Sequence, residues 1–142
     1  MRTSRKIKNI LNTRVKFREA FRPFCPSLLW EHRDEYLERA RDEFFMITSF
    51  DCCSAKRPRV PAVVHVDGTV RPQTVKRDFN LRFWKLLYEF GRLTGDPLLL
   101  NTSFNLMGEP IVCHPREAIR CFYDSGLDLL VLSNFVLQKD AR

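Results

Sequence analysis

At Asp78 the spacing of apolar residues changes, and that change decides the fold class. Phe79, Phe83, Leu86, Leu87, Phe90 and Leu93 recur every three or four residues, which predicts a helix whose apolar stripe faces a core until Thr94-Gly95-Asp96-Pro97 stops it near Gly95. The residues that follow, Leu98-Leu99-Leu100, are apolar without alternation, as in a strand covered on both faces, and predict a strand over 97–102. A short strand at 111–113 comes next, then a helix with Pro115 in its first turn that closes at Gly126, then a last strand in "LDLLVLSNFVL". Helices alternating with strands predict an α/β domain with a mixed, twisted sheet and packed helices.

The first half is read with less periodicity. "WEHRDEYLERARDEF" carries charges at helical spacing, Glu35 four residues before Arg39, and predicts a mostly exposed helix after the Pro26-Ser27 break. "FFMITSF" at 44–50 predicts a strand, and the polar "DCCSAKRPR" behind it a loop ending at Pro61. Asp67-Gly68 lies between two β-rich runs in "AVVHVDGTVRPQTV", so one β-hairpin is expected there, with Pro72 pushing its second strand to an edge or a bulge.

Composition bounds the rest. A chain of 142 residues, 44% hydrophobic and with 12 Phe, can bury one core, and a single domain over 1–142 is expected. No apolar run approaches the roughly 20 residues of a membrane span, and no hydrophobic leader follows the basic start, so a cytoplasmic protein is expected. Cys25, Cys52, Cys53, Cys113 and Cys121 form an odd set without a CxxC pair; free thiols in a reducing compartment are expected. Three histidines are too few for a multi-histidine site beside structural roles, and no metal ligand set is assigned. Gly-rich phosphate loops, GxSxG and HExxH are absent from the sequence. Cys113 and His114, as strand neighbours, would point to opposite faces and could not pair; Cys113 is expected in the core and His65 in a structural role.

Charge is concentrated at one end. Eight of the Lys and Arg fall within residues 1–22 against Glu19 alone, although the whole chain is only +7. Residues 1–11 are expected to form a flexible basic arm, whereas "VKFREAFRPF" interleaves cations with Phe17, Phe21 and Phe24, so the rings would fix the segment while Lys16, Arg18 and Arg22 stay at its surface. Such asymmetry suits an anionic partner. A second polar cluster, Asn101, Thr102, Ser103 and Asn105, ends the strand at 97–102, where ligand groups gather in such sheets. With Arg71 these residues could orient a phosphate or acyl phosphate, or the Asn and Ser could instead satisfy turn backbone groups.

Three segments, "RVKFREAFRPFCPS", "VPAVVHVDGTVRPQTV" and "GDPLLLNTSFNLMGEPIVCHPREAIRCFYDSGLDLLVLSNFVL", resemble in this order the C-terminal domain of the NodU/CmcH family of O-carbamoyltransferases, over about residues 8–139. The resemblance implies a YrdC-like fold that makes carbamoyladenylate from carbamoyl phosphate and ATP. Mg²⁺ is expected to bridge the phosphates. The family's lysine and arginine element is matched by Lys16-Phe17-Arg18, its Ser-x-Asn element by Ser103-Phe104-Asn105, and Arg22 and Arg71 stand where the carbamoyltransferases also use arginine. It further implies a larger N-terminal transferase domain, as partner in the same or a separate chain, with a homodimer as another arrangement. A non-catalytic module that holds RNA by phosphate contacts, or an inactive docking remnant, is the alternative from another class.

Overall fold

A computed structural model describes residues 5–19 and 21–139. Met1–Ser4 of the expected basic arm lie outside the described residues; the remainder of that arm is helical, α1 (Arg5–Ile10). The chain divides into two compact units, 1–8 with 23–102, and 9–22 with 103–142.

The first unit is built on a three-stranded mixed sheet of β1 (Cys25–Leu29), β4 (Gln73–Val75) and β5 (Leu98–Asn101), in the order β4-β1-β5. Strand β1 is parallel to β4, pairing Ser27 with Gln73, and antiparallel to β5, pairing Cys25 with Asn101. The helix expected from the period change is α3 (Leu81–Thr94), capped by the Asn80 side chain on the Phe83 N–H and ended by Gly95 at φ 80°, a left-handed turn that glycine enters without a Cβ clash. Its stripe is narrower than its periodicity suggests: Leu87 is 0% exposed and packs with Leu29 and Val75, flanked by Phe83, Trp84 and Leu99, whereas Leu86 is 56% and Leu93 86% exposed. Only a three-stranded sheet receives the helix, so one row of side chains suffices to cover it.

Other elements depart from the sequence reading for identifiable reasons. Instead of one exposed helix, Trp30–His32 form a 3₁₀ turn and Arg33–Tyr36 a single α-turn, α2. The helix stops because Tyr36 is buried and donates its hydroxyl to Asp96 Oδ1 at 2.8 Å, while Asp96 also receives Arg59. Glu35 then pairs with Lys56 at 2.7 Å and not with Arg39. The strand expected at 44–50 shrinks to β2 (Phe50–Asp51), since the buried Glu43 carboxylate collects the N–H groups of Phe45 and Thr48 and curls the chain.

Asp67-Gly68 does make a tight turn, with Gly68 at φ 85° and the His65 N–H on the Thr69 carbonyl at 2.8 Å. No hairpin grows from it. Val60, Ala62 and Val63 are all buried without strand alternation, and β3 (Thr69–Val70) pairs with β2 instead. β4 lies at the sheet edge, as Pro72 implied.

The second unit holds a π-helical turn (Leu11–Val15), α4 (Pro115–Tyr123), and the hairpin of β6 (Leu129–Leu132) and β7 (Phe135–Gln138). The single last strand expected from the sequence is thus two, turned at Ser133, which takes φ 53°. The predicted strand at 111–113 is irregular, and Cys113 is exposed, not a core residue. Ala118, Phe122 and Leu130 form this unit's core with Phe104, Val112, Leu127, Leu132 and Leu137 around them. α4 starts with a capping box in which Glu117 receives the His114 N–H.

Because Leu87 alone carries the fully buried contact of α3, Leu87→Ala should lower unfolding free energy by about 2–5 kcal/mol. Leu93→Ala, on the same helix, should change it by no more than about 0.5 kcal/mol. Urea unfolding of the two variants checks both values, and equal losses would show that the apolar stripe packs as a whole.

Candidate functional site

In the second unit the chain is bent so that Lys16 points inward. The turn Leu11–Val15 has the wider π-helical winding, with the Lys16 N–H on the Leu11 carbonyl at 2.8 Å. Phe17 follows at φ 49°. A bulky residue in that region is strained, and both features concentrate at functional sites. The inward turn is locked by Gly126, whose N–H donates to the Arg14 carbonyl at 2.9 Å; a Cβ at Gly126 would sit 2.7 Å from that oxygen. Glycine is needed there for the close approach alone.

Lys16 is 7% exposed. Its Nζ donates to the Ser103 carbonyl at 2.9 Å, the Asn105 carbonyl at 2.9 Å and Asn105 Oδ1 at 2.6 Å, with Ser103 Oγ at 3.3 Å. An ammonium has three protons for these four acceptors, so two of them share. Ser103 Oγ donates to Asn105 Oδ1 at 2.7 Å, and Asn105 Nδ2 donates to the Glu109 carbonyl at 2.8 Å. Burial pushes the Lys16 pKa down, the charge of Arg18 pushes the same way, and the Cys121 thiol acts in the opposite sense.

The lysine and arginine element and the Ser-x-Asn element, 87 residues apart from Lys16 to Ser103, therefore meet in one hydrogen-bonded cluster. The turn reading of Asn105 is seen directly: one end of its amide serves the 105–109 turn, and the other end accepts from the Lys16 ammonium. Expectation and structure differ on the basic segment. Phe24 is buried and holds it, but Phe17 and Phe21 are exposed, and Lys16 is interior, not at the surface. The reason is that Lys16 has carbonyl partners waiting inside, and the two rings do not.

Arg18 and Arg22 are gathered by Asn12, a residue the sequence reading passed over. Asn12 Oδ1 accepts from Arg18 Nε at 2.8 Å, and Asn12 Nδ2 donates to the Arg22 carbonyl at 2.9 Å. A single Asn beside a basic run carries no signal of such a role. The Arg22 side chain is exposed and pairs with Glu19 at 3.5 Å.

The remaining candidates belong to the first unit. Arg71 is exposed and places Nε and Nη2 each 3.3 Å from Cys25 Sγ. Asn101 turns onto the sheet, where its Nδ2 donates to Ser27 Oγ at 2.9 Å and to Gln73 Oε1 at 3.2 Å, while Ser27 Oγ donates to Gln73 at 2.8 Å. That network joins all three strands, one polar residue from each, and Ser27 and Gln73 were likewise missed. Thr102 is exposed. Mg²⁺, expected with a nucleotide, finds no ready ligand set: among the described residues no three His, Cys, Asp or Glu side chains converge as metal ligands. Among them, too, no helix is long and apolar enough to cross a membrane.

The sequence family described as "Carbamoyltransferase C-terminus" matches residues 1–139. Nodulation protein NolNO of Sinorhizobium fredii is 43% identical across 93% of this chain and 20% of its own length. Nodulation protein NolO of Bradyrhizobium diazoefficiens is 42% identical across 93% of this chain and 25% of its own length. For Nodulation protein U of Rhizobium tropici the identity is 40%, across 84% of this chain and 20% of its own length. The chain spans about a fifth to a quarter of the curated relatives it matches.

The pKa of Lys16 sets a direction for pH dependence. Its charged form is disfavoured in the folded chain, so the folded state binds fewer protons than the unfolded one just below the ordinary lysine value of 10.5, and stability rises with pH in that window. Lys16→Met removes the titration. Unfolding measured from about pH 8 to 10.5 should show the natural chain gaining stability relative to Lys16→Met; a difference that stays constant would mean that Lys16 titrates as an exposed lysine.

Proposed function

The chain belongs to the carbamoyltransferase C-terminus family, and from that premise we propose that it binds ATP and carbamoyl phosphate and supports formation of carbamoyladenylate. In that reaction water first cleaves carbamoyl phosphate to carbamate and inorganic phosphate; a carbamate oxygen then bonds to the α-phosphorus of ATP, the bond from that phosphorus to the pyrophosphate oxygen breaks, and pyrophosphate leaves. A larger transferase part, in the same chain or another, then passes the carbamoyl group to a hydroxyl acceptor.

The observation that carries this reading is the buried Lys16 cluster. Two anions must be brought together, and the chief obstacle is their mutual repulsion. A cation held in a fixed place by three carbonyl-type acceptors supplies positive potential without reorganising when the anions arrive. Arg18, tied through its Nε, and Arg22, with an exposed guanidinium, extend that potential along the segment. Arginine is suited to this task because its planar fork meets two phosphate oxygens at once.

Lys16 and Asn105 have distinct tasks in this reading. The ammonium keeps the 103–105 loop closed on itself, and Ser103, which is exposed, presents its hydroxyl at the mouth of the cluster. A carbamoyl group offers an amide donor and a carbonyl acceptor. An acyl group lacking them would make fewer hydrogen bonds at Ser103, which is a source of discrimination. Mg²⁺, when bound, supplies charge neutralisation between phosphates, and the phosphates themselves would carry it.

Arg71 and Arg22 are the residues on which to test the reading, because both side chains are exposed and their loss leaves the cores intact. Losing a charge-assisted hydrogen bond costs about 1.5–3 kcal/mol, so Arg22→Ala or Arg71→Ala should weaken ATP or carbamoyl phosphate binding roughly ten- to a hundredfold. Calorimetric titration of each variant, with thermal unfolding as the control, decides. Unchanged affinity in both variants would overturn the site assignment.

A further inference from the structure

We infer that Asn12 is a positioning residue for the anion-binding segment, fixing the plane of the Arg18 guanidinium by which that segment meets a phosphate. The inference rests on the function proposed above and adds a residue to it.

Asn12 is 0% exposed and carries a full carboxamide into the interior of the second unit. Such a group is retained only where both of its ends find partners. Here the ends are used in opposite senses: Oδ1 accepts from Arg18 Nε at 2.8 Å, and Nδ2 donates to the Arg22 carbonyl at 2.9 Å. The backbone adds a third bond, from the Arg18 N–H to the Asn12 carbonyl at 2.9 Å. One residue therefore closes the loop that bears both arginines, and its amide cannot flip without breaking two bonds at once.

The bond at Arg18 Nε has the greater functional weight. A guanidinium is planar, and holding Nε fixes the direction in which the rest of the fork faces. Bidentate recognition of phosphate depends on that direction more than on the charge itself. The bond to the Arg22 carbonyl instead holds the loop. A carboxylate at position 12 would keep an acceptor for Arg18 and lose the donor; an alanine would lose both. These substitutions separate the two contributions, and a residue that merely filled the core would not distinguish them.

The test uses the full 142-residue chain with ATP as probe. Asn12→Ala should weaken ATP binding about tenfold, the loss of one hydrogen bond to a charged group. Asn12→Asp should recover most of that loss, and Asn12→Ala should cost clearly less in an Arg18→Ala background than in the natural chain. Independently of any ligand, the Arg18 Nε–H signal in ¹⁵N NMR should exchange slowly with solvent in the natural chain and in Asn12→Asp, and rapidly in Asn12→Ala. Additive losses for Asn12→Ala and Arg18→Ala, or an Asn12→Asp as weak as Asn12→Ala, would overturn the inference. So would an Arg18 Nε–H that exchanges in the natural chain as fast as that of the exposed Arg92, a measurement that stands even if Asn12→Ala does not fold. If Arg18→Ala leaves ATP affinity unchanged, the proposed function fails instead, and the NMR comparison still decides whether Asn12 holds Arg18.

Discussion

Burial of the Lys16 ammonium is the constraint around which the second unit is arranged. A charge removed from water is costly unless it is paired or saturated with hydrogen bonds. Saturation is the solution here, with two main-chain carbonyls and the Asn105 side chain taking the protons. Those acceptors could not converge from a regular strand, in which the carbonyls of residues 103 and 105 would share a side but lie about 6.7 Å apart, farther than two 2.9 Å bonds to one ammonium can span. The chain therefore leaves β5 after Asn101 and turns through 103–109, and its turn is held by the same Asn105 that meets the cation. On the other side, delivering Lys16 inward requires the π-helical winding of Leu11–Val15, the positive φ of Phe17 and a glycine at 126 that lets the Arg14 carbonyl come close.

Polar side chains inside this protein tie its elements together. Asn101 ends a core strand with an amide, yet that amide ties β5 to β1 and β4 through Ser27 and Gln73. Asn12 is buried, yet it accepts from the half-buried Arg18 through Nε. The cost of placing polar atoms within a core is offset in each case by neighbours of opposite character, so the question of whether such a residue serves the fold or a ligand has no single answer from position alone.

The first unit follows a different logic. Leu87 of α3 is set on Leu29 and Val75, Leu28, Tyr36, Val60, Val63 and Leu98 are buried as well, and several connections are short turns fixed by side chains and not by long ladders. Glu43 curls 43–48, Asp67 closes the 65–69 turn, and Tyr36 with Arg59 converges on Asp96. Where a carboxylate can satisfy several backbone N–H groups locally, the chain has no need of a strand, and β2 and β3 are correspondingly two residues each.

By itself the sequence determined the α/β class, the helix ending at Gly95, a strand within 97–102, the Pro115 helix start and the concentration of positive charge, and it showed the resemblance of Lys16-Phe17-Arg18 and Ser103-Phe104-Asn105 to two elements of one family. These are legible because they rest on local periodicity, on cap and turn chemistry, and on residue types within short spans. The tertiary structure decided what depends on partners far along the chain. It ended the helix at Tyr36 through Asp96, replaced the strand at 44–50 with a turn on Glu43, and moved the hairpin from 62–75 to 129–138. It also took Lys16 from an expected surface position into the interior, beside carbonyls 87 and 89 residues away. A spacing pattern reports which side chains could share a face; whether a buried cation meets enough acceptors depends on where distant loops come to rest.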